Sequence, residues 1–237
     1  MSTWRLLVFG ATGAIGGCVA ARAFEHRWDV VGVSRRPSER NQPGVSAWRR
    51  YDPLTDDPAL AFDGEKPFDG ICWAQGANLT DSITSFDAER HLELYRANCL
   101  STMIAMTHLH ERGLLRPEGA RMVVVSSIWQ ERARADKLSY SVTKAAVGGL
   151  VRSASVDFGQ EGHLVNAVLP GVLDTPMSRA NLSKEQIAAV SARTTLGRLP
   201  DLATVAETVC FLCSAANRSI NGQSITVDLG MSNAHLL

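Results

Sequence analysis

Short uninterrupted apolar runs recur along the chain, separated by longer stretches in which apolar residues return every third or fourth position. Arg5-Leu6-Leu7-Val8-Phe9 ends at Gly10, Ile15 to Phe24 follows helical spacing, and Val30-Val31-Gly32-Val33 is the next run. Strand, helix and strand within about thirty residues form the unit that requires parallel pairing and a right-handed crossover. The rhythm returns at Gly70-Ile71-Cys72-Trp73, Met122-Val123-Val124-Val125, Leu164 to Leu169 and Ile225-Thr226-Val227, with long helical stretches at Ala88 to Arg112 and Tyr140 to Phe158. Strands apolar on both faces belong to a sheet covered on both sides. The pattern predicts an α/β fold of three layers, with a doubly wound, mostly parallel sheet of about seven strands and a ligand at the strand ends. No Pro-, Gly- or Ser-rich linker divides residues 1–237, so one domain is expected.

Charge narrows the partners. Lys plus Arg and Asp plus Glu both number 24, giving no net charge and no global field for nucleic acid or an anionic membrane. No apolar run is long enough for a signal sequence or a membrane span, which points to a cytoplasmic protein that meets small molecules or copies of itself. Five cysteines in a chain this long argue against a disulfide framework. Cys210 and Cys213 sit in an apolar helical pattern and read as core, and His108-x-His110 reads as a helix face, so no metal is assigned.

The glycine-rich run Gly10-Ala11-Thr12-Gly13-Ala14-Ile15-Gly16 joins the first strand to the first helix. Glycine there permits a tight turn and close backbone approach, and the helix N-terminus offers N–H groups to a pyrophosphate. The second strand ends in Ser34-Arg35-Arg36 where a carboxylate would grip the ribose hydroxyls of NAD. Guanidinium groups there suit a 2′-phosphate, so NADP(H) is the preferred cofactor and NAD(H) the alternative. Farther on, Tyr140 and Lys144 stand four apart on one helix face, with Ser127 thirteen positions upstream. A lysine ammonium beside a phenol favours the phenolate, so the tyrosine pKa is expected to fall toward neutrality, where proton exchange with an alcohol is efficient.

These residues, in this order, resemble the short-chain dehydrogenase/reductase family, and among its members the β-ketoacyl (3-oxoacyl-acyl-carrier-protein) reductases, from Leu6 to Gly230. The resemblance implies a Rossmann fold and places Gly10, Ala14 and Gly16 at the family's spaced glycines, flanked by Thr12, Gly13 and Ile15. It also puts Asp52 near adenine and Ala74-Gln75-Gly76 along the cofactor. Pro170, Gly171, Val172 and Thr175 fall in the loop that holds the nicotinamide carboxamide, and Ser127, Tyr140 and Lys144 match the catalytic serine, tyrosine and lysine. Asn98 matches the helix asparagine that positions a water near that lysine, and Lys144 also binds the nicotinamide ribose. Phe9, Ala14, Pro53, Trp73, Ala74 and Leu229 depart from the family pattern.

The expected activity is NADP-dependent hydride transfer between nicotinamide and a ketone, β-ketoacyl group or secondary alcohol, with Tyr140 as general acid/base. The substrate would meet Ser127, Trp129, Gln130 and Tyr140, under a lid formed by Met177 to Thr195 with Leu182, Ile187 and Val190. Two alternatives stand beside it: an NAD-dependent sugar or secondary-metabolite alcohol dehydrogenase, and a non-catalytic NADP-binding sensor or scaffold. A homo-oligomer, dimer or tetramer, is expected through the two long helices, with Met103, Ile104, Met106, Leu150 and Val151 supplying apolar surface.

Overall fold

The computed structural model describes residues 3–36 and 42–233. Seven strands form one sheet in the order β3-β2-β1-β4-β5-β6-β7, and every neighbouring pair is parallel. They are β1 (Arg5–Phe9), β2 (Asp29–Ser34), β3 (Ala47–Arg50), β4 (Gly70–Trp73), β5 (Arg121–Val125), β6 (Leu164–Pro170) and β7 (Ser224–Val227). The helices are α1 (Ala14–Glu25), the short α2 (Pro58–Ala61), α3 (Ala88–Tyr95), α4 (Ser101–Glu111), α5 (Leu138–Asp157), α6 (Pro176–Asn181), α7 (Lys184–Ala192) and α8 (Leu202–Leu212).

Strand alternation builds two cores. Leu7, Phe9, Ile71, Trp73, Met122 and Val124 face one side, against Ala105, Met106 and Leu109 of α4 and Val147 and Val151 of α5. Leu6, Val8, Cys72, Val123 and Val125 face the other, against Val19 and Ala23 of α1 and Val205 and Val209 of α8. The expected apolar runs are therefore strands buried on both faces. Strand order reverses between β1 and β4, which opens the crevice at their C-terminal ends where ligands bind in such sheets.

Three elements differ from the sequence pattern. β3 was not expected, because Ala47-Trp48-Arg49-Arg50 lacks an apolar run; it is an edge strand fixed by pairing with β2, where Trp48 fills the space beside Gly32. The stretch from Ala88 to Arg112 is a helix interrupted by a π-turn at Arg96–Leu100. The lid stretch is two helices, α6 and α7, the second opened by a reciprocal capping box between Ser183 and Gln186.

Candidate active site

The turn after β1 is shaped by its glycines. Gly10 has φ of 72°, and a Cβ there would lie 2.7 Å from the nitrogen of Gln75; one on Gly16 would lie 2.3 Å from the oxygen of Gly10. No side chain caps α1 at Gly13, and its first turn holds no acidic residue. Its N-terminal N–H groups are thus left for an anion, and the cradle fits a dinucleotide pyrophosphate. Thr12, Gly13, Ala14 and Ile15 line this start, with Ala14 as the first helical residue.

At the end of β2, Ser34 accepts from the backbone N–H of Arg36 at 3.3 Å, and Arg35 and Arg36 are exposed. The β2–β3 register sets Arg50 opposite Ser34. Sequence pattern missed Arg50 because the strand carrying it was not legible. Asp52, expected near adenine, turns its carboxylate back onto the N–H of Leu54 at 3.0 Å.

After β4, Ala74 donates its N–H to the carbonyl of Phe9 at 3.0 Å, and Gln75 reaches Thr102 at 3.2 Å through its side-chain amide. Two of the family departures prove to be one packing event. The rings of Phe9 and Trp73, on adjacent strands, stack at 5.6 Å and 16°. An aromatic contact of this kind adds about 0.5–1.5 kcal/mol beyond burial, so apolar stacking stands where polar residues are usual in the family. Leu229 sits at φ 52°, a left-handed position where glycine is more easily accommodated, and Thr195 anchors its carbonyl through both N–H (3.0 Å) and hydroxyl (2.9 Å).

Ser127 ends the segment after β5 and caps the 3-10 turn Ile128–Gln130. Its hydroxyl is within hydrogen-bond reach of the Tyr140 phenol on the first turns of α5. Lys144, one turn on, is buried; its Nζ donates to the carbonyl of Val125 at 3.3 Å and lies 5.7 Å from the Tyr140 ring centroid. A Cβ on Gly76 would lie 3.4 Å from Asn98 Oδ1 and 3.7 Å from Lys144 Nζ, at ordinary contact distance, so Gly76 borders both groups.

Asn98 lies in the π-turn and is buried. Its Oδ1 accepts from Ala77 N–H at 2.7 Å, and its Nδ2 donates to Ala77 O (3.1 Å) and Thr143 Oγ1 (3.0 Å). The side chain fastens the segment after β4 to α5 through these bonds. The start of α5 is clamped further. Asp81 caps Ser139 through N–H (3.0 Å) and hydroxyl, His91 bonds the same hydroxyl at 2.9 Å, and buried Lys137 donates to Asn78, Leu79 and Thr80.

Electrostatics differ from expectation. Burial pushes the Tyr140 phenol up, opposed only by the hydrogen bond from Ser127, and burial lowers Lys144 to about 8. The expected fall of the Tyr140 pKa toward neutrality is therefore absent in the protein alone, because the lysine that was to cause it is itself desolvated and directed at Val125.

Pro170 ends β6, and a Cβ on Gly171 would lie 2.9 Å from that of Asp228. Val172 lines a cleft together with Ile128, the residue after Ser127, and buried Thr175 caps α6 by accepting from Ser178 N–H at 3.3 Å. The cleft is about 540 Å³ and is lined in part by Trp129, Val172, Leu182 and Val190, which brings together the expected aromatic wall and lid. Gln130 turns elsewhere: it donates to Ser224 of β7 at 2.9 Å and packs on Gly148. Cys210 and Cys213 are buried in the α8 core, and no His, Cys, Asp and Glu cluster suited to a metal occurs among the described residues.

The family described as Enoyl-(Acyl carrier protein) reductase matches residues 66–232. The 3-oxoacyl-(acyl-carrier-protein) reductase of Vibrio cholerae is 31% identical over 242 residues, covering 95% of this chain and 96% of that enzyme. The chain belongs to the short-chain dehydrogenase/reductase family. It is thus an NAD(P)-dependent oxidoreductase acting on CH–OH or C=O groups. The cis-4-hydroxycyclohexanecarboxylate dehydrogenase of Sinomonas cyclohexanicum is 38% identical over 130 residues, 54% of this chain, and that match spans 52% of the relative's length. Actinorhodin polyketide ketoreductase with NADPH superposes at a TM-score of 0.87 with 23% identity and 98% of each chain covered, a likeness of fold.

Proposed function

We propose that this short-chain dehydrogenase/reductase is an NADPH-dependent cytoplasmic carbonyl reductase, in which Tyr140 protonates the substrate oxygen. The observation that carries the reading is the convergence of Ser127, Tyr140 and Lys144 beside Gly76, at the end of the crevice that opens with the uncapped N-terminus of α1. When bound, the nicotinamide supplies hydride to the carbonyl carbon. Ser127 orients the carbonyl oxygen, and Tyr140 gives it the phenolic proton. Lys144, with a pKa lowered to about 8, is a proton donor near neutrality and restores that proton. Asn98 and Asp81 hold the geometry by fixing α5 to the segment after β4.

Arg35 and Arg36 after β2, with Arg50 opposite Ser34, form a cationic group suited to a 2′-phosphate, which supports NADP(H). A 3-oxoacyl group or a cyclic hydroxy acid as substrate is supported by what the relatives are named for. The rival reading, oxidation of a secondary alcohol with NAD, uses the same residues in reverse. A non-catalytic sensor would not require this set of three side chains. The test is oxidation of NADPH and of NADH with simple ketones, cyclic ketones and 3-oxoacyl thioesters, with Tyr140→Phe as control. Turnover with NADPH that the variant loses supports the reading, and turnover that it retains overturns it.

A further inference from the structure

The cleft that starts at Ile128, the residue after Ser127, has one wall that hydride and proton transfer do not use. Its body is apolar, with Trp129, Leu182 and Val190 among the residues around it. Three guanidinium groups complete it: Arg132 and Arg134 from the segment after the 3-10 turn, and Arg193 at the C-terminal cap of α7. Among the described residues, the lining contains no Asp or Glu. None of the three arginines is in an ion pair there either. Arg132 donates at 3.3 Å to the side-chain oxygen of Asn233, a neutral partner. The nearest acids in sequence are not on the wall: Glu131 and Asp136 are exposed on either side of Arg132 and Arg134, and Glu185 is held by the Ser183 hydroxyl.

This imbalance is local, since the whole chain carries 24 cationic and 24 anionic side chains. Two segments far apart in sequence bring like charges to one cleft, which gives it a local field that favours an anion. Guanidinium is also the side chain whose planar fork fits a carboxylate or phosphate bidentately. We propose that the cleft takes a carbonyl substrate bearing an oxoanion at the end of an apolar body remote from the reacting carbon, with Arg132 and Arg193 holding the anion and Arg134 adding to the field. The inference rests on the carbonyl-reductase reading for the position of the reacting carbon. The oxoanion is either the substrate's own carboxylate or a phosphate on a carrier arm.

Two pairs of probes test it, 4-oxocyclohexanecarboxylate against its methyl ester and acetoacetyl-CoA against acetoacetyl-N-acetylcysteamine. The wild type should favour the charged member of at least one pair. In Arg132→Gln/Arg193→Gln that preference, as a ratio of kcat/KM, should fall roughly ten- to a hundredfold, chiefly through KM. Loss confined to the keto acid identifies a carboxylate, and loss confined to the CoA thioester identifies a phosphate. No preference in the wild type, or equal losses for charged and neutral members, overturns the proposal. Binding gives a readout independent of turnover. With NADP+ present, tryptophan fluorescence is titrated with cyclohexanecarboxylate, cyclohexanecarboxamide, CoA and N-acetylcysteamine, and Trp129→Phe marks the cleft signal. If no carbonyl is reduced, anion-selective binding that the double variant loses upholds the oxoanion site and removes only the reductase reading. Binding equal for anionic and neutral ligands, or unchanged in the variant, overturns the site.

Discussion

Lys144 aims its ammonium at the backbone carbonyl of Val125, 3.3 Å away, so the positive charge of the site is held in the interior by a single neutral acceptor from the end of β5. Burial accordingly lowers its pKa from 10.5 to about 8. Below pH 8 the folded protein carries a desolvated charge that the unfolded chain keeps in water. Between pH 8 and 10.5 the unfolded chain binds more protons than the folded one, and stability rises with pH. Lys144→Met removes this penalty, on the order of 3 kcal/mol before loss of the hydrogen bond is counted. Thermal melts of the cofactor-free protein at pH 7 should show the variant inactive yet a few degrees more stable, with a flatter response between pH 8 and 10. A lower Tm for the variant at pH 7 would mean that Lys144 stabilises the fold.

Tyr140→Phe keeps the ring near Lys144 and removes the phenolic proton on the side chain that Ser127 influences. Turnover should fall at least about a hundredfold, the scale of a general acid, while the affinity for NADPH changes little. Stopped-flow cofactor oxidation with fluorescence titration checks both halves. Parallel loss of binding and rate would assign the hydroxyl a structural role.

The sheet was legible because its strands are buried on both faces: Leu6 to Phe9 or Met122 to Val125 cannot be read as anything half-exposed. β3 was not, since Arg49 and Arg50 break the apolar signal and only pairing with β2 holds the strand. Ser127, Tyr140 and Lys144 were legible as a spacing, because α5 and the end of β5 are rigid and bring them together. Their electrostatics were not, because desolvation depends on what covers Lys144, which no local pattern carries. Nor could sequence show that Phe9 and Trp73 substitute for one another's missing partner, or that Gln130 turns toward Ser224.

Cofactor choice should rest on Arg35, with Ser34, Arg36 and Arg50 around it. A charge-assisted contact to a phosphate dianion supports a preference of about ten- to a hundredfold for NADPH over NADH. Arg35→Asp should reverse it, since a carboxylate repels the 2′-phosphate and accepts from free ribose hydroxyls. Arg50→Gln should weaken NADPH alone. Titrating both cofactors against the three proteins decides the matter, and equal wild-type affinities would end the NADP assignment.

Self-association is expected through α5, with Met106 and Val151 dropped from the set the sequence suggested and exposed residues of α5 added. Met106 and Val151 are buried against the sheet, whereas Val142, Ala145 and Val156 are exposed along α5, and a Cβ on Gly149 would meet nothing within 4 Å. These positions recur at helical spacing, and Met103 of α4 is exposed as well. An apolar stripe with a gap at Gly149 suits a second copy of the helix at close approach. Light scattering at micromolar concentration should give a dimer or tetramer mass, and Gly149→Arg should lower it. A monomeric wild type would remove this interface.

Asn98 joins three partners that have no substitute. Thr143 already donates its hydroxyl to the carbonyl of Tyr140 at 2.9 Å, so toward Asn98 it can only accept, and both polar groups of the Ala77 backbone are taken by the same amide. Asn98→Ala leaves the Ala77 N–H and carbonyl unpaired near Lys144, at about 1–3 kcal/mol for each group that stays buried and dry. The variant should melt several degrees lower. Because the amide fixes the distance between the segment after β4 and the helix that carries Tyr140, kcat should fall by more than KM rises. Steady-state kinetics at a temperature where the variant remains folded separate the two effects. Unchanged kcat in a folded variant would show that the clamp at Asp81 and Ser139 positions Tyr140 without help from Asn98.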